Sequence, residues 1–493
     1  MQLKVKFLKW SAGLPAAMLN EETAKEMGLH AQDRITLKTI SARPRESVTI
    51  IDVVKGLVNK NEIAVSSELK NRLKLKAKEK VEVSMMIPSK SLEYIKKKID
   101  DKPLSGEEID SIIGDIVNNS LSDSEIALFI SAMDQNGMNM KETVGLIEAI
   151  QKTGSQMKFR NKFVADKHSI GGVPGNRTTP LVVSICAAAG LIFPKNSSRA
   201  ITSPAGTADV IETIARVEYT VPEIKKIVEK VGACMVWGGA VGMVPADSKI
   251  IRIEKALNID PPAQLLASIM SKKLAAGSKY ILIDIPYGPG AKVSKKGALA
   301  LKKKFEYLGK HFKKKIKCVL TDGREPIGNG VGPALELKDI VMILDPTKQG
   351  PRDLEEKALF LSGEIFEMTG KAKKNKGVKM AREILYSGRA FEKFNEIIKA
   401  QEGSLAKLKK IGKTHDILSR KTGRVSGIEN KKINSLARMA GCPIDKFSGV
   451  YLHVRKGDKI KKGQKIITIH AESSLRLNEA VRHYGRLNPI KIK

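Results

Sequence analysis

From Lys162 onwards, apolar strand-like segments alternate with helix-like segments, and this alternation restricts the possible folds more than any other feature of the chain. The stretches "KFVADK", "VGACMVWGG", "YILIDIPYG" and "IKCVLTDG" predict buried strands, the last three each ending in a glycine-containing loop, and "PLVVSICAAAG" predicts an apolar helix. Such alternation is typical of an α/β domain with a mostly parallel sheet, in which binding sites lie at the carboxyl ends of the strands. We therefore expect a large α/β domain over residues 161–244 and 277–410.

The rest of the chain predicts three other units, as its 493 residues allow. Residues 1–88 alternate like half-buried strands and predict a small β-rich N-terminal domain. Residues 89–160 and 245–276 predict a helical bundle, with capping-box spacing at Ser105–Glu108 and Ser122–Glu125. Residues 411–493 predict an α+β C-terminal domain, with hairpin-like strands around Gly457 and Gly463. The expected fold class is thus α/β with a helical domain.

The formal net charge of +34 suggests a polyanionic partner. The lysines are spread along the whole chain and aromatic residues are only 4%, so base stacking has little support and we expect no specific nucleic-acid partner. No apolar run reaches the length of a membrane span, and the four cysteines are far apart without a CxxC pair. These features predict a cytoplasmic protein without a membrane partner, and the absence of a Cys/His cluster predicts no metal site.

The segment "KHSIGGVPGNRTT" links a predicted strand to a predicted helix. Its glycines allow the backbone to approach a ligand closely, and its donors could cradle a phosphate. The spacing matches neither the Walker pattern nor the dinucleotide fingerprint, and an ordinary glycine-rich turn explains it equally well. The candidate binding groups here are Lys167, Ser169, Gly171, Gly172, Thr178 and Thr179, with His168 and Arg177 as further candidates for contact or support.

A second segment, "NSSRAITSPAGTADVIE", favours the phosphate interpretation because it also leads into a helix start, where free N–H groups attract anions. Arg199 could pair with a phosphate through two donors, whereas Asp209 in the first helical turn is expected to cap or orient. The hydroxyl groups of this segment are those of Ser197, Ser198, Thr202, Ser203 and Thr207.

A third region, "NIDPPAQLLASIMSKK", places Asp260 at a helix start and Ser268 and Lys272 on one helical face. Together they could hold a heterocyclic base, although periodicity alone favours a capping Asp and a solvated Lys. Lys292, in "YGPGAKV", follows a strand and two glycines and is a further candidate.

These segments resemble a known family. "KHSIGG", "SSRAITSPAGTADVIE", "ASIMSKK" and "TDGREPIGNGVGPALE" are similar to signature segments of the thymidine and pyrimidine nucleoside phosphorylases, and the likeness covers residues from about 90 to 493. Pro174, Asn176 and Pro204 depart from the pyrimidine enzymes. With the extra N-terminal domain, they resemble the archaeal branch that cleaves nucleotides, the AMP phosphorylases.

The resemblance implies that AMP and inorganic phosphate are the ligands and that no metal or organic cofactor is needed. It also implies a homodimer or larger homo-oligomer assembled through the N-terminal domain, and proton donation by Asp260. A general acid must hold its proton near neutral pH, whereas a helix start favours the ionised form. The implied phosphate ligands are Lys167, Ser169, Thr179 and Ser197. The candidate substrate-binding residues, of which Lys272 rests on helical spacing alone, are Gly172, Ser198, Arg199, Ala200, Ile201, Thr202, Ser203, Thr207, Ser268, Lys272 and Lys292.

Two alternatives remain open at this point. A pyrimidine nucleoside phosphorylase would use nucleosides and ignore the 5′-phosphate. A nucleic-acid-binding protein on an inactive scaffold would explain the positive charge. A phosphoribosyl pyrophosphate-dependent transferase shares the architecture but usually needs an acidic pair for magnesium, which the sequence lacks.

Overall fold

The computed structural model describes residues 1–12, 15–86, 89–173, 177–200, 203–239, 242–408 and 412–493. Pro174, Gly175, Asn176, Ile201 and Thr202, which the sequence marks for the two loops, lie outside the described residues. The described strands are β1 (Gln2–Phe7), β2 (Ala16–Asn20), β3 (Arg34–Thr39), β4 (Glu46–Val54), β5 (Glu62–Val65), β6 (Lys80–Met85), β7 (Ala165–Ser169), β8 (Phe193–Ser197), β9 (Ala233–Trp237), β10 (Tyr280–Tyr287), β11 (Lys315–Asp322), β12 (Gly330–Val331), β13 (Lys413–Leu418), β14 (Gly423–Ile428), β15 (Gly449–Leu452), β16 (Lys459–Ile460), β17 (Lys465–Ala471) and β18 (Ile490–Ile492).

The described α-helices are α1 (Glu21–Glu26), α2 (Ser67–Leu73), α3 (Ser91–Ile99), α4 (Gly106–Asn118), α5 (Asp123–Asn136), α6 (Met140–Lys152), α7 (Thr178–Ala188), α8 (Thr207–Glu212), α9 (Val221–Val231), α10 (Pro245–Leu257), α11 (Pro262–Ala275), α12 (Lys295–His311), α13 (Pro333–Leu344), α14 (Arg352–Thr369), α15 (Gly377–Tyr386), α16 (Arg389–Ala400), α17 (Asn430–Met439) and α18 (Ser474–Leu487). One 3₁₀ turn covers Leu405–Lys407. No helix among the described residues is long and apolar enough to cross a membrane.

The chain divides into two compact units, and the first contains Met1–Thr153 and Pro245–Ala267. Within it, β1 to β6 close into a barrel in the order β1-β5-β2-β4-β3-β6, which confirms the predicted β-rich N-terminal part. The alternating side chains of the strands explain the closure: Leu3 and Val5 of β1 are buried, as are Ile35 and Leu37 of β3, and they form one apolar core.

The helical bundle of the first unit begins where the sequence predicts it. Ser105 and Glu108 at α4 form a reciprocal capping box, and Ser122 and Glu125 do the same at α5, so both predicted helix starts are confirmed. Apolar residues of α4 at helical spacing are buried on one face, namely Ile109, Ile112, Ile113 and Ile116.

The second unit, Gly154–Val244 with Ser268–Lys493, contains the α/β part. Strands β11, β10 and β7 form a parallel sheet with β10 in the centre, and β8 pairs with β9 in parallel. A parallel bridge between Val164 and Ile192 links the two sets of strands. The predicted mostly parallel sheet is therefore confirmed, and the carboxyl ends of its strands meet the loops that the sequence singled out.

The C-terminal part is α+β as expected, but its hairpins are not those that the sequence predicted. Strand β15 pairs antiparallel with β17, whereas β16, which lies between them in the chain, pairs with β14. Gly457 and Gly463 do form tight turns with φ of +95° and +84°. At these turns the chain passes from one sheet to another instead of folding back on the preceding strand. Strand pairing follows from which apolar faces the whole unit buries, and a local turn signal does not specify this. The division of the chain into four domains stays a prediction.

Candidate active site

The glycine loop after β7 lies against two other loops of the second unit. A Cβ added at Gly171, whose φ is +108°, would lie 3.3 Å from the Cβ of Lys292. One added at Gly172 would lie 3.1 Å from the Cβ of Ser203. Glycine is favoured at the first position by its backbone freedom, and at the second the absence of a Cβ lets the backbone approach Ser203 closely. The structure thus brings together the three loops that carry most of the candidate residues.

Asp209 organises the second loop, as expected from its place in the first turn of α8. Its Oδ2 accepts hydrogen bonds from the backbone N–H of Ala200 at 2.7 Å and of Gly206 at 2.8 Å. A Cβ added at Gly206 would lie only 2.5 Å from the carbonyl oxygen of Ser198, so the loop closes tightly on itself. The carboxylate fixes the backbone of this loop, and its first residues, Ser197, Ser198 and Arg199, are half-buried.

Lys167 is the central residue of β7 and is fully buried. Its Nζ donates to the hydroxyl of Thr178 and, at 3.4 Å, to that of Thr179 at the start of α7. Burial lowers the pKa of Lys167 to about 7; the Asp284 carboxylate opposes this change, and Lys357 and Lys195 reinforce it. This lysine therefore exchanges its proton in the neutral pH range.

A buried carboxylate beside Lys167 holds two further lysines. Asp166 accepts from Lys195 Nζ at 3.1 Å and lies 2.8 Å from Lys273 Nζ, and Lys195 also donates to the carbonyl oxygen of Lys167 at 2.8 Å. Sequence reasoning missed these residues. The available signal was Asp166 and Lys167 side by side in a strand that must be buried, where charged residues need partners.

A second buried carboxylate, Asp284 of β10, lies directly opposite Ser169 in the parallel register. It lies 3.0 Å from Lys357 Nζ and accepts from the hydroxyls of Ser169 at 2.7 Å and Thr321 at 2.6 Å. The lysine-rich cluster, defined here as Asp166, Lys167, Lys195, Lys273, Asp284 and Lys357, thus contains four lysines and two carboxylates, all of them buried except Lys357, which is half-buried. A buried excess of cationic groups is costly unless an anion compensates it.

His168 follows Lys167 in β7 and is half-buried, and whether it contacts a ligand or supports the loop stays a prediction. Burial, followed by the charges of Lys273, Lys195, Lys167 and Lys272, holds the pKa of the imidazole well below its ordinary value. The ring is therefore neutral near pH 7 and adds no positive charge to the cluster.

The two candidate arginines have protein partners. Arg177 is almost fully buried, donates to the carbonyl oxygen of Ile327 and lies 3.3 Å from Glu336. Arg199 forms a two-pronged pair with Glu212, reaches Glu218 at 2.9 Å and lies over the ring of Trp237 at 4.6 Å. The hydrogen bonds that Arg199 donates to the Glu212 carboxylate are the largest cause of its raised pKa. These contacts account for both arginines structurally, and their contact with a ligand stays a prediction.

Ser268 and Lys272 do share one face of α11, since Lys272 Nζ donates to Ser268 Oγ at 2.7 Å. Asn196 links this helix to the second loop through its side-chain amide, which donates to the carbonyl oxygen of Lys272 at 3.3 Å. Asp260 is exposed and precedes α11, a helix whose residues are divided between the two units, and Lys292 is exposed in its own loop. Among the described residues, no group of three His, Cys, Asp or Glu side chains could hold a metal ion.

Known proteins match this chain along its whole length. The chain is 47% identical to a protein of Pyrococcus horikoshii and 48% identical to one of Pyrococcus abyssi, covering 100% of this chain and 98% of each relative. A relative from Methanococcus aeolicus is 42% identical, with coverage of 100% and 97%. All three are named AMP phosphorylase. The chain belongs to the AMP phosphorylase family. It is an enzyme of the pentosyltransferase class, and the predicted resemblance is confirmed.

Domain-level matches support the assignment to the AMP phosphorylase family. Residues 92–154 match the helical bundle domain of a glycosyl transferase family, 161–391 match its a/b domain, and 424–491 match the pyrimidine nucleoside phosphorylase C-terminal domain. The fold is also similar to that of anthranilate phosphoribosyltransferase from Thermus thermophilus, with a TM-score of 0.52 and 19% identity over 63% of this chain and 99% of that one. This last likeness concerns the fold alone.

Proposed function

We propose that this protein splits AMP with inorganic phosphate and releases adenine and ribose 1,5-bisphosphate, with CMP and UMP as further substrates. The lysine-rich cluster behind the glycine loop is the observation that supports this most strongly. It places four lysine side chains against two carboxylates along β7, β8, β10 and the helices beside them, and an attacking phosphate at Ser169, the last residue of β7, would favour the protonated form of these lysines. The names of the AMP phosphorylase relatives supply the substrate, and the cytoplasm is the proposed compartment.

In this proposal, the attacking phosphate lies on Lys167, Ser169, Thr179 and Ser197. The nucleotide takes the groups around the second and third loops, namely Gly172, Ser198 to Ser203, Thr207, Ser268, Lys272 and Lys292. Lys167 in its protonated form balances the phosphate charge, and the backbone N–H groups of the two glycine-containing loops hold the anion in line.

The proposed reaction is a displacement at the ribose C1′. A phosphate oxygen forms the new C–O bond on the face opposite the base while the glycosidic C–N bond breaks, and its electron pair goes to the base. Asp260 donates a proton to the leaving ring, because a purine leaves poorly as an anion. The fixed phosphate and the proton donor each lower the barrier for a cation-like sugar, and no further reactant is required.

Product analysis tests the proposal. Incubation of the purified protein with AMP and phosphate should yield adenine and ribose 1,5-bisphosphate in equal amounts, as measured by chromatography and phosphorus NMR. Release of adenosine, or consumption of thymidine in preference to AMP, would favour a different activity. Binding to long polyanions without any phosphorolysis would support the nucleic-acid alternative.

The affinity for phosphate should depend on pH through Lys167. The ammonium form binds the dianion and predominates below the pKa of about 7, so the neutral fraction grows as the pH rises further. At saturating AMP, we expect the KM for the phosphate dianion to increase above pH 7 by up to about tenfold per pH unit.

The variant Lys167→Met should bind phosphate weakly and lose this pH dependence. Lys158→Met, which changes an exposed lysine of the same unit, is the matched control and should keep it. An unchanged phosphate KM between pH 6 and pH 9 in the unmodified enzyme would exclude Lys167 as the titrating group.

We also propose that the N-terminal barrel joins copies of the chain into a homodimer or larger assembly. The barrel has its own closed sheet and core, so its removal leaves no open strand edge. Deletion of residues 1–85 should therefore lower the number of subunits per particle while phosphorolysis persists, as measured by light scattering. The same number of subunits after the deletion would contradict this.

A further inference from the structure

The hydroxyl of Ser169 has a fixed direction. It lies 2.7 Å from Oδ2 of the fully buried Asp284, and the same carboxylate is 2.6 Å from the Thr321 hydroxyl and 3.0 Å from Lys357 Nζ. An ionised carboxylate only accepts hydrogen bonds, so Ser169 must be the donor in this contact. A hydroxyl has one proton, and Ser169 Oγ is left with lone pairs to offer to a ligand.

The sheet itself maintains this arrangement. Ser169 and Asp284 are direct neighbours in the parallel pairing of β7 and β10, so the ladder holds their backbones side by side and keeps the two side chains within hydrogen-bonding reach. If the Ser169 proton turned towards a ligand, a buried carboxylate would lose one of its donors, which is unfavourable. The stable arrangement therefore presents an acceptor to the anion site.

An acceptor in an otherwise cationic site distinguishes between oxyanions. Phosphate and arsenate carry at least one proton at neutral pH and can donate it to Ser169, whereas sulfate has none and would place lone pairs against lone pairs. We infer that the Ser169–Asp284 pair makes the site selective for protonated oxyanions over sulfate, with Asp284 acting as a positioning residue through Ser169. This inference rests on the proposed function, which puts the attacking phosphate on Ser169.

The test compares sulfate and arsenate as competitors of phosphate in AMP phosphorolysis. In the unmodified enzyme, the inhibition constant of sulfate should exceed the KM for phosphate by at least about tenfold, the size of one hydrogen bond to a charged group. Arsenate, which is larger than sulfate but protonated, should compete about as well as phosphate. Equal affinity for sulfate and phosphate would overturn the inference, as would rejection of arsenate together with sulfate.

Variants separate this role from a structural one. In Asp284→Asn the side-chain amide can donate a hydrogen bond to Ser169 Oγ, which frees the Ser169 hydroxyl proton to face the ligand. The ratio of the sulfate inhibition constant to the phosphate KM should then fall by about tenfold, because sulfate binds more tightly. Ser169→Ala should lower the same ratio through weaker phosphate binding. Thr321→Val removes a different donor from Asp284 and should leave the ratio unchanged.

A change in the net charge of the site affects the binding of sulfate and of phosphate alike, so its effect cancels in the ratio of the sulfate inhibition constant to the phosphate KM. A folded Asp284→Asn enzyme with an unchanged sulfate-to-phosphate ratio would contradict the inference. If Asp284→Asn does not fold, an unchanged ratio in Ser169→Ala would contradict it instead. If AMP is not cleaved at all, the proposed function fails. Calorimetric binding of phosphate, arsenate and sulfate to the unmodified protein then decides the selectivity separately.

Discussion

AMP should be cleaved with a kcat/KM about 10²–10⁴-fold above that of adenosine or thymidine, because the 5′-phosphate adds hydrogen bonds that nucleosides cannot make. A charge-assisted hydrogen bond contributes about 1.5–3 kcal/mol, and the loss of two such bonds lowers kcat/KM by about 10²–10⁴-fold. Arg177 and Arg199 are held by carboxylates, so the contribution is expected from the loop of Lys292 and from Ser203. The measurement is the initial rate with each substrate at fixed phosphate concentration.

Lys292→Met should remove most of the preference for AMP over adenosine while leaving adenosine cleavage unchanged. Lys295→Met, three residues further along and also exposed, is the matched control and should keep the preference. Thymidine used as well as AMP by the unmodified enzyme would exclude the nucleotide proposal and favour a pyrimidine nucleoside phosphorylase. If Lys292→Met keeps the preference for AMP over adenosine, residues other than Lys292 bind the 5′-phosphate.

Asp260→Asn should lower kcat for AMP by about 10²–10⁴-fold, the usual contribution of a general acid. Nucleotide binding should change little, since proton transfer matters mainly in the transition state. The measurement is kcat together with the dissociation constant of AMP from calorimetry.

The matched control for this variant is Asp134→Asn, which alters an exposed aspartate on α5 of the same unit. It should leave both quantities unchanged. If Asp260→Asn abolishes AMP binding but turns over the bound fraction normally, the carboxylate is a ligand and not the acid. A substrate with a better leaving group should depend less on Asp260, which gives an independent check.

Elements set by local interactions could be predicted from the sequence. The capping boxes at Ser105 and Ser122 involve residues three positions apart, and helix α7 follows from one continuous apolar run. Gly171 and Gly172 also marked the loop after β7, because the backbone freedom of glycine is a local property. Strand β8 was missed, since "FPKNS" is short and largely polar and, among the described strands, pairs with the distant β9 alone.

The sequence by itself therefore determined the class of fold, the helix starts and the loops that carry the candidate site. Only the tertiary structure decided the charge of that site. Asp166 meets Lys273, and Asp284 meets Ser169 and Lys357, across long stretches of chain, and the same packing commits Arg177 to Glu336. The physical reason is that a buried charge must find partners in space, and the parallel sheet brings those partners together irrespective of their separation in sequence.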